Sequence, residues 1–248
     1  MAVLSDDDLY QRGADTLVTS WAEYARAAEG ATVRRLPGVA VAVFPTGAER
    51  SVYNNALLAR HLGRTERATA LDEVAATYAA ATVSRYAVWV HEAERAARAD
   101  LTRRGYVVDS STTAMGMGLT DALRPRIAID QATADWDEHL RVCGLPADLL
   151  RGGEELAFHV RIARAHGENV ATAIALDCDS DCGIYNVATR PSARKRGLAT
   201  ALTLQLAHDA RERGCLSVSL QSSPMAHGLY TTLGFRDLGR VVEYTPQA

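Results

Sequence analysis

The sequence predicts an α/β protein in which short strands alternate with amphipathic helices. Apolar residues recur at every second position in short runs such as 39–44 and 216–220, as they do in half-buried strands. Leu198, Leu202, Leu206 and Ala210 recur at four-residue spacing, as on one face of a helix. The 248 residues are 48% hydrophobic and 23% charged, which suits one large domain or two small ones and excludes long disorder and fibrous rods.

In the first half of the chain, the pattern predicts two strands, a helix, a strand, a second helix and the start of another strand. Period-two runs and helical spacing place these elements at 39–44, 52–56, 71–81, 86–90, 93–103 and from 105 onward.

The ends of helices and strands are easier to locate in the second half, because Pro191, Gly214 and Gly234 follow predicted strands or helices where the chain must turn. It predicts two helices, a hairpin, a strand, a helix, a strand, a short helix and a last strand. These elements are placed at 132–143, 145–150, 156–162, 170–176, 183–189, 198–210, 216–220, 225–233 and 235–244.

The two halves can be aligned on each other, which suggests an internal duplication. A shift of 129 residues places 101–106 (LTRRGY) on 230–235 (YTTLGF), and 87–90 on 216–219. We therefore predict an N-terminal half at 1–124 and a C-terminal half at 125–248. The alternative is two unrelated βαβ units, which share such gross features.

The loop 194–199 (RKRGLA) lies between a predicted strand and the long predicted helix. The first amides of a helix have no partner within the helix and point toward its positive dipole end, so such a loop predicts an anion site suited to a diphosphate. Gly197 allows close approach of the backbone, and Arg194, Lys195 and Arg196 add positive charge. No Gly-x-Gly-x-x-Gly and no Gly-Lys-Ser/Thr sequence is present, which argues against a dinucleotide fold or a P-loop.

Together with 187–191 (VATRP) before it and 229–235 (LYTTLGF) after it, this loop resembles the GNAT superfamily of acyl-CoA-dependent N-acetyltransferases. The resemblance covers about residues 127–246. It implies the GNAT fold, a mixed and mostly antiparallel sheet flanked by helices, and acetyl-CoA as cosubstrate without a metal.

The resemblance also implies roles for individual residues. The pantetheine arm would lie in a gap beside the strand 183–189, and Tyr230 would protonate the leaving thiolate. A packed core aromatic is the alternative for Tyr230. The cofactor contacts would be Val187, Ala188 and Thr189 for the arm, Arg194, Lys195, Arg196, Gly197, Leu198 and Ala199 for the diphosphate, and Ser223 in place of the family's usual Asn.

The general base is left open among Asp181, Tyr185, Glu155 and His159, and ordered water is a further alternative. The N-terminal half would be a degenerate copy without the cofactor loop. Under the 129-residue shift it has Thr65, Ala68 and Leu101 where the C-terminal half has Arg194, Gly197 and Tyr230.

Charge and cysteine content bound the partners and the compartment. The net charge of −3 and the absence of a Lys/Arg run predict neither a nucleic-acid nor a membrane partner. The N-terminus lacks the basic and apolar regions of a secretory signal, and the four cysteines are irregularly spaced, so we expect a cytoplasmic protein with reduced thiols. The sequence is also compatible with a homodimer.

The sequence therefore predicts an acetyl-CoA-dependent N-acetyltransferase. A primary amine of a small molecule or peptide would attack the thioester directly. The alternative is a non-catalytic acyl-CoA-binding or regulatory module.

Overall fold

The computed structural model describes residues 4–47, 53–119, 130–132, 135–147, 149 and 157–247. The chain forms two compact units, each assembled from separate stretches of sequence. Unit 1 contains the described residues of 1–17, 114–149 and 157–238, and unit 2 contains those of 18–113 and 239–248. No helix of the described residues is long and apolar enough to cross a membrane.

Helices and strands alternate through the chain. The helices are α1 (Asp6–Arg26), α2 (Arg64–Ala80), α3 (Arg95–Arg103), α4 (Trp136–Cys143), α5 (Leu198–Glu212) and α6 (His227–Thr232), with a 3₁₀ turn at Pro191–Ala193. The strands are β1 (Thr32–Leu36), β2 (Val39–Val43), β3 (Asn55–Leu58), β4 (Ala87–His91), β5 (Tyr106–Gly118), β6 (Asp130–Ala132), β7 (His159–Ala165), β8 (Glu168–Cys178), β9 (Asp181–Thr189), β10 (Ser217–Ser222) and β11 (Arg236–Pro246).

The sheet of unit 1 has the strand order β5–β10–β9–β8–β7–β6. Its strands from β6 to β9 are antiparallel, and β9 and β10 are parallel. The apolar stripe of α5 packs on one face, where Leu202 and Leu206 lie in a core with Ala171 and Ala173 of β8. Successive side chains of a strand point to opposite faces, so Thr172 of β8 points to the other face, where it contacts α4.

Unit 2 has the strand order β1–β2–β3–β4–β11. Strands β3 and β4 are parallel, and the other neighbours are antiparallel. Its core contains Leu71, Val74 and Tyr78 of α2, packed with Val41 and Val88 of the sheet.

The mixed, mostly antiparallel sheet flanked by helices confirms the predicted fold class. Several predicted elements have different bounds or were missed. Helix α1 and strand β1 were missed by the sequence analysis. The strand expected at 52–56 is β3, at Asn55–Leu58. The helix expected at 132–143 starts at Trp136, because the Asp135 carboxylate caps it by accepting the amide of Glu138 at 2.7 Å. Of the helix expected at 145–150, the described residues 145–147 and 149 form a turn.

In chain order, both halves have three strands, a helix, a strand, a helix and a strand. The shared order supports the predicted duplication, which stays a prediction, as does the division at residues 124 and 125. The compact units cross that division, because unit 1 includes residues before 18 and unit 2 includes residues after 238.

Candidate cofactor and active site

A gap opens in the sheet of unit 1 where β9 and β10 separate. Their parallel pairing consists of three residue pairs and ends at Ser219 and Gly183. Strand β9 continues from there to Thr189, with its other edge paired to β8. The free edge of this last part of β9 therefore faces the gap that the resemblance implies.

A β-bulge interrupts β9 just before this edge. Thr172 is opposite Ala188 and Ile174 is opposite Tyr185, so β9 has one more residue than β8 in this interval. Asn186 lies within the bulge, with a φ of 50°, which is rare for a residue other than glycine.

The bulge determines which amides face the gap. The Arg190 amide donates to the Val170 carbonyl at 2.8 Å, so residue 190 points its backbone polar groups toward β8. Alternate residues of an antiparallel strand point these groups to opposite edges. Thr189 therefore points its backbone polar groups into the gap, as does the carbonyl of Val187, because Ala188 between them is paired with Thr172. This is the orientation that hydrogen bonding to an extended arm requires.

The loop 194–199 leads into α5 as the sequence predicts. Gly197 is the residue before the helix, its φ is 76°, and no side chain of the described residues caps this helix start. Lys195 also has a positive φ, of 61°. Arg194 and Arg196 donate to carbonyls of Thr189 and Ser192 and are exposed. Uncapped amides and solvent-facing cations are the features that favour an anion, so this loop is the candidate anion site.

One cavity of about 810 Å³ joins the gap and the anion site. All the predicted cofactor residues except Arg196 line it: Val187, Ala188, Thr189, Arg194, Lys195, Gly197, Leu198, Ala199 and Ser223. The described cavity wall thus runs from the first turn of α5 along the free edge of β9.

The cavity also has a wall that the sequence analysis missed. Val142, Cys143 and Gly144, at the C-terminal end of α4, line it together with Leu229 of α6. Burial raises the pKa of the Cys143 thiol to about 11, so the thiol is protonated at neutral pH. No motif marks these residues, and only the glycine that ends α4 gives a sequence signal.

Tyr230 lies beside the cavity and is not among its lining residues. Its side chain is 6% exposed and its ring packs edge-on against Phe235, with centroids 5.7 Å apart. Burial raises the pKa of its phenol to about 12. The phenol therefore keeps its proton at neutral pH but gives it up less readily than an exposed tyrosine.

The candidate bases have other partners or lie outside the described residues. Asp181 is buried and accepts hydrogen bonds from Thr16, Ser217 and Ser219, at 2.9, 2.6 and 2.6 Å. These bonds indicate a structural carboxylate that ties α1 to two strands.

His159 lies 3.6 Å from the carboxylate of Asp177, which also accepts from Arg213. The Tyr185 ring packs edge-on against Phe158, on the face of the sheet opposite α5. Glu155 is outside the described residues. None of these observations assigns a general base.

Unit 2 has a similar loop at the start of α2. Residues 60–63 (RHLG) repeat the Arg-x-x-Gly spacing of 194–197, and Gly63 precedes α2 as Gly197 precedes α5. The two helix starts therefore correspond at a shift of 134, and the predicted shift of 129 is five residues off here. The Glu66 carboxylate accepts the Gly63 amide at 2.9 Å, so the chain's own negative charge occupies this helix start.

The comparisons with known proteins concern the family and the fold. Residues 124–235 match the family model described as "Acetyltransferase (GNAT) family". None of the curated proteins searched matches the sequence significantly.

Solved structures resemble the whole chain. A GCN5-related N-acetyltransferase from Kribbella flavida has 17% identity and a TM-score of 0.71, with 96% of each chain covered. A GCN5-related N-acetyltransferase from Sphaerobacter thermophilus has 14% identity and a TM-score of 0.60, covering 97% of this chain and 93% of its own. A putative GNAT-family acetyltransferase from Novosphingobium aromaticivorans has 14% identity and a TM-score of 0.58, covering 99% and 100%. At these identities the structures show a shared fold.

Residues 124–235 therefore carry the sequence pattern of the GNAT acetyltransferase family.

Proposed function

We propose that this chain uses its GNAT domain to transfer an acetyl group from acetyl-CoA to a primary amine by direct attack. The observation that carries the proposal is the cavity itself, which joins an uncapped helix start to the free edge of a bulged strand. A diphosphate and an extended amide-containing arm require these two features side by side.

The cofactor would bind in two parts. The first amides of α5 and the exposed Arg194 and Lys195 would hold the diphosphate, because a helix start and cations both favour negative charge. The arm would then run along β9 and hydrogen-bond the backbone groups of Thr189 and Val187. This direction places the acyl group near the bulge, where Cys143 and Gly144 form the wall.

The reaction forms one bond and breaks one bond. The neutral amine attacks the thioester carbonyl carbon, negative charge develops on the carbonyl oxygen, and the C–S bond then breaks. The Val187 amide lies in the bulge beside the gap, where it would stabilise that oxygen. The attacking nitrogen would release one proton to water, and Tyr230 would give its proton to the departing thiolate and regain one from water.

One observation favours a second candidate, a non-catalytic acyl-CoA-binding module. Tyr230 packs in the core, lines no part of the cavity and has a raised pKa. A chain that binds acetyl-CoA without using an acid would have these features.

A binding experiment and an amine screen test the proposal. Calorimetry with CoA should show binding to the wild-type chain. A library of small amines and peptide N-termini should contain an acceptor that releases free CoA thiol faster than the background rate. Binding without any turnover would favour the binding module, and no binding would refute both functions.

A further inference from the structure

A polar cluster, buried at His139 and Thr172 and half-buried at Cys143, supports the bulge in β9 from the α4 side, opposite the core that α5 packs against. It consists of His139 and Cys143 of α4 and Thr172 of β8, and it contacts the bulge at Asn186. The proposed chemistry uses none of the cluster's side chains directly.

Hydrogen bonding fixes the tautomer of His139. The Thr172 hydroxyl donates its only hydrogen to the Arg161 carbonyl at 3.1 Å. The 2.9 Å contact between Thr172 Oγ1 and His139 Nδ1 therefore requires the histidine to donate. His139 is completely buried, and burial lowers its pKa to about 4, so the ring is neutral with its proton on Nδ1.

Cys143 follows His139 by one helical turn, so both side chains lie on one face of α4. The Cys143 thiol donates to the Asn186 carbonyl at an S–O distance of 3.7 Å and lies 3.8 Å from His139 Nε2. The extra residue of a bulge is left out of the strand ladder, so its carbonyl needs a donor from elsewhere.

The cluster thus fixes both sides of the bulge. Thr172 is paired with Ala188 on one side, and Cys143 holds Asn186 within it. The orientation of the next amide, that of Val187, depends on this geometry. Small displacements of a group that orients the reacting atoms have large effects on rate.

We propose that His139 and Thr172 are positioning residues, which act with Cys143 to hold the β9 bulge so that the Val187 amide faces the acyl carbonyl of the bound cofactor. The inference rests on the proposed function, because it assumes that the acyl group lies near the bulge.

Carbon-13 NMR of bound [1-¹³C]acetyl-CoA tests the inference without a known acceptor. In the wild-type chain, a hydrogen bond to the thioester oxygen should move the carbonyl resonance downfield from its position in free acetyl-CoA. Thr172→Val removes the hydroxyl but keeps the shape. It should lose at least half of that shift, while acetyl-CoA affinity stays within about threefold because the diphosphate site is intact.

Two further variants act as controls. Thr172→Ser keeps the hydroxyl and should keep the shift. Thr203→Val makes the same change at a buried threonine of α5 whose hydroxyl has no partner among the described residues, and it should also keep the shift. Nitrogen-15 spectra should show His139 as the neutral Nδ1–H tautomer in the wild-type chain.

If Thr172→Val does not fold, Cys143→Ala provides the same test with Cys215→Ala as its buried control. An unchanged carbonyl shift in a folded Thr172→Val or Cys143→Ala variant overturns the inference, as does equal loss in Thr172→Ser. If the wild-type chain does not bind acetyl-CoA at all, the proposed function fails first, and the inference fails with it.

Discussion

Replacing Gly197 with Asp tests the anion site most directly. Gly197 precedes α5 with a φ of 76°, and within the part of the chain that the structure describes no side chain caps this helix start. An aspartate there has two effects. Its carboxylate repels a diphosphate, and it can itself accept the first amides of the helix. At the start of α2, the Glu66 carboxylate similarly accepts the amide of Gly63, the residue before the helix.

The expected magnitudes separate binding from stability. A side chain at this φ costs about 1–2 kcal/mol of folding stability. The diphosphate would lose its favourable interaction with the helix start and would be repelled by the new carboxylate. Together these effects should weaken CoA binding at least ~100-fold, or about 2.7 kcal/mol. The loss of affinity should therefore exceed any loss of stability.

Gly214→Asp is the matched control at the opposite end of the same helix. Gly214 has a φ of 98° with open space around an added Cβ, so the backbone strain is similar. The 15 residues of α5 span about 22 Å, and the two glycines lie beyond its opposite ends. Calorimetry with CoA and urea unfolding should be measured on both variants. A folded Gly197→Asp variant with wild-type affinity would refute the reasoning, as would equal weakening by Gly214→Asp.

Four other outcomes are expected. Tyr230→Phe should lower kcat about 10²–10⁴-fold with the best amine found, and leave CoA affinity and Tm nearly unchanged, whereas a wild-type rate would make Tyr230 a packing residue. Titration should give one CoA site per chain, because Glu66 occupies the start of α2; two equivalent sites would contradict this. Asp181→Asn should lower the free energy of unfolding in urea by about 3 kcal/mol, because three hydroxyls donate to this buried carboxylate, and an unchanged value would count against that role. Burial alone would raise the pKa of Asp177, but hydrogen bonds from Arg213 hold that pKa well below its usual range. Asp177→Asn should therefore destabilise the protein at pH 7, and this destabilisation should shrink below about pH 4, where the carboxylate of the unfolded chain becomes protonated. Urea unfolding at several pH values checks this.

The cofactor loop could be predicted because its signal is local. Arg194 and Gly197 lie between a strand and an apolar helix whose first turn has no acidic residue, and this pattern indicates an uncapped helix start. The lining residues Val187 and Thr189 follow from the same short segment. Sequence reasoning of this kind needs no knowledge of distant contacts.

The sequence analysis missed helix α1, although acidic residues in its first turn and Arg26 in its last turn are local signals for a helix. Gly13 lowers helix propensity, yet an added Cβ there would lie 2.9 Å from the Ser219 Cβ, so close packing requires glycine. Thr16 interrupts the apolar stripe of the helix. It is nevertheless completely buried, and its hydroxyl donates to the Asp181 carboxylate. Both residues make sense only once strands more than 160 residues away are placed beside the helix.

The same limit applies within the site. It affects the cavity wall at Val142–Gly144 and the polar cluster of His139, Cys143 and Thr172. A histidine and a cysteine four residues apart on a helix are common, and nothing in their spacing shows that they face a bulge in β9. The bulge itself arises from a difference of one residue between two paired strands, which no single strand reveals.

The two halves show how similar sequence signals lead to different helix starts. Both have an arginine three residues before the glycine that begins a helix. At α2, the residue three positions after Gly63 is Glu66, whose carboxylate reaches back to the glycine amide, whereas Thr200 has the same position after Gly197 and carries no charge. In addition, Glu94 lies 3.8 Å from Arg60, whereas the exposed Arg194 donates to a backbone carbonyl. At the start of α2, Glu66 and Glu94 offset the positive charge that a diphosphate would need. At the start of α5, the positive charge of Arg194 has no such acidic neighbour among the described residues, and we therefore expect the cofactor in unit 1.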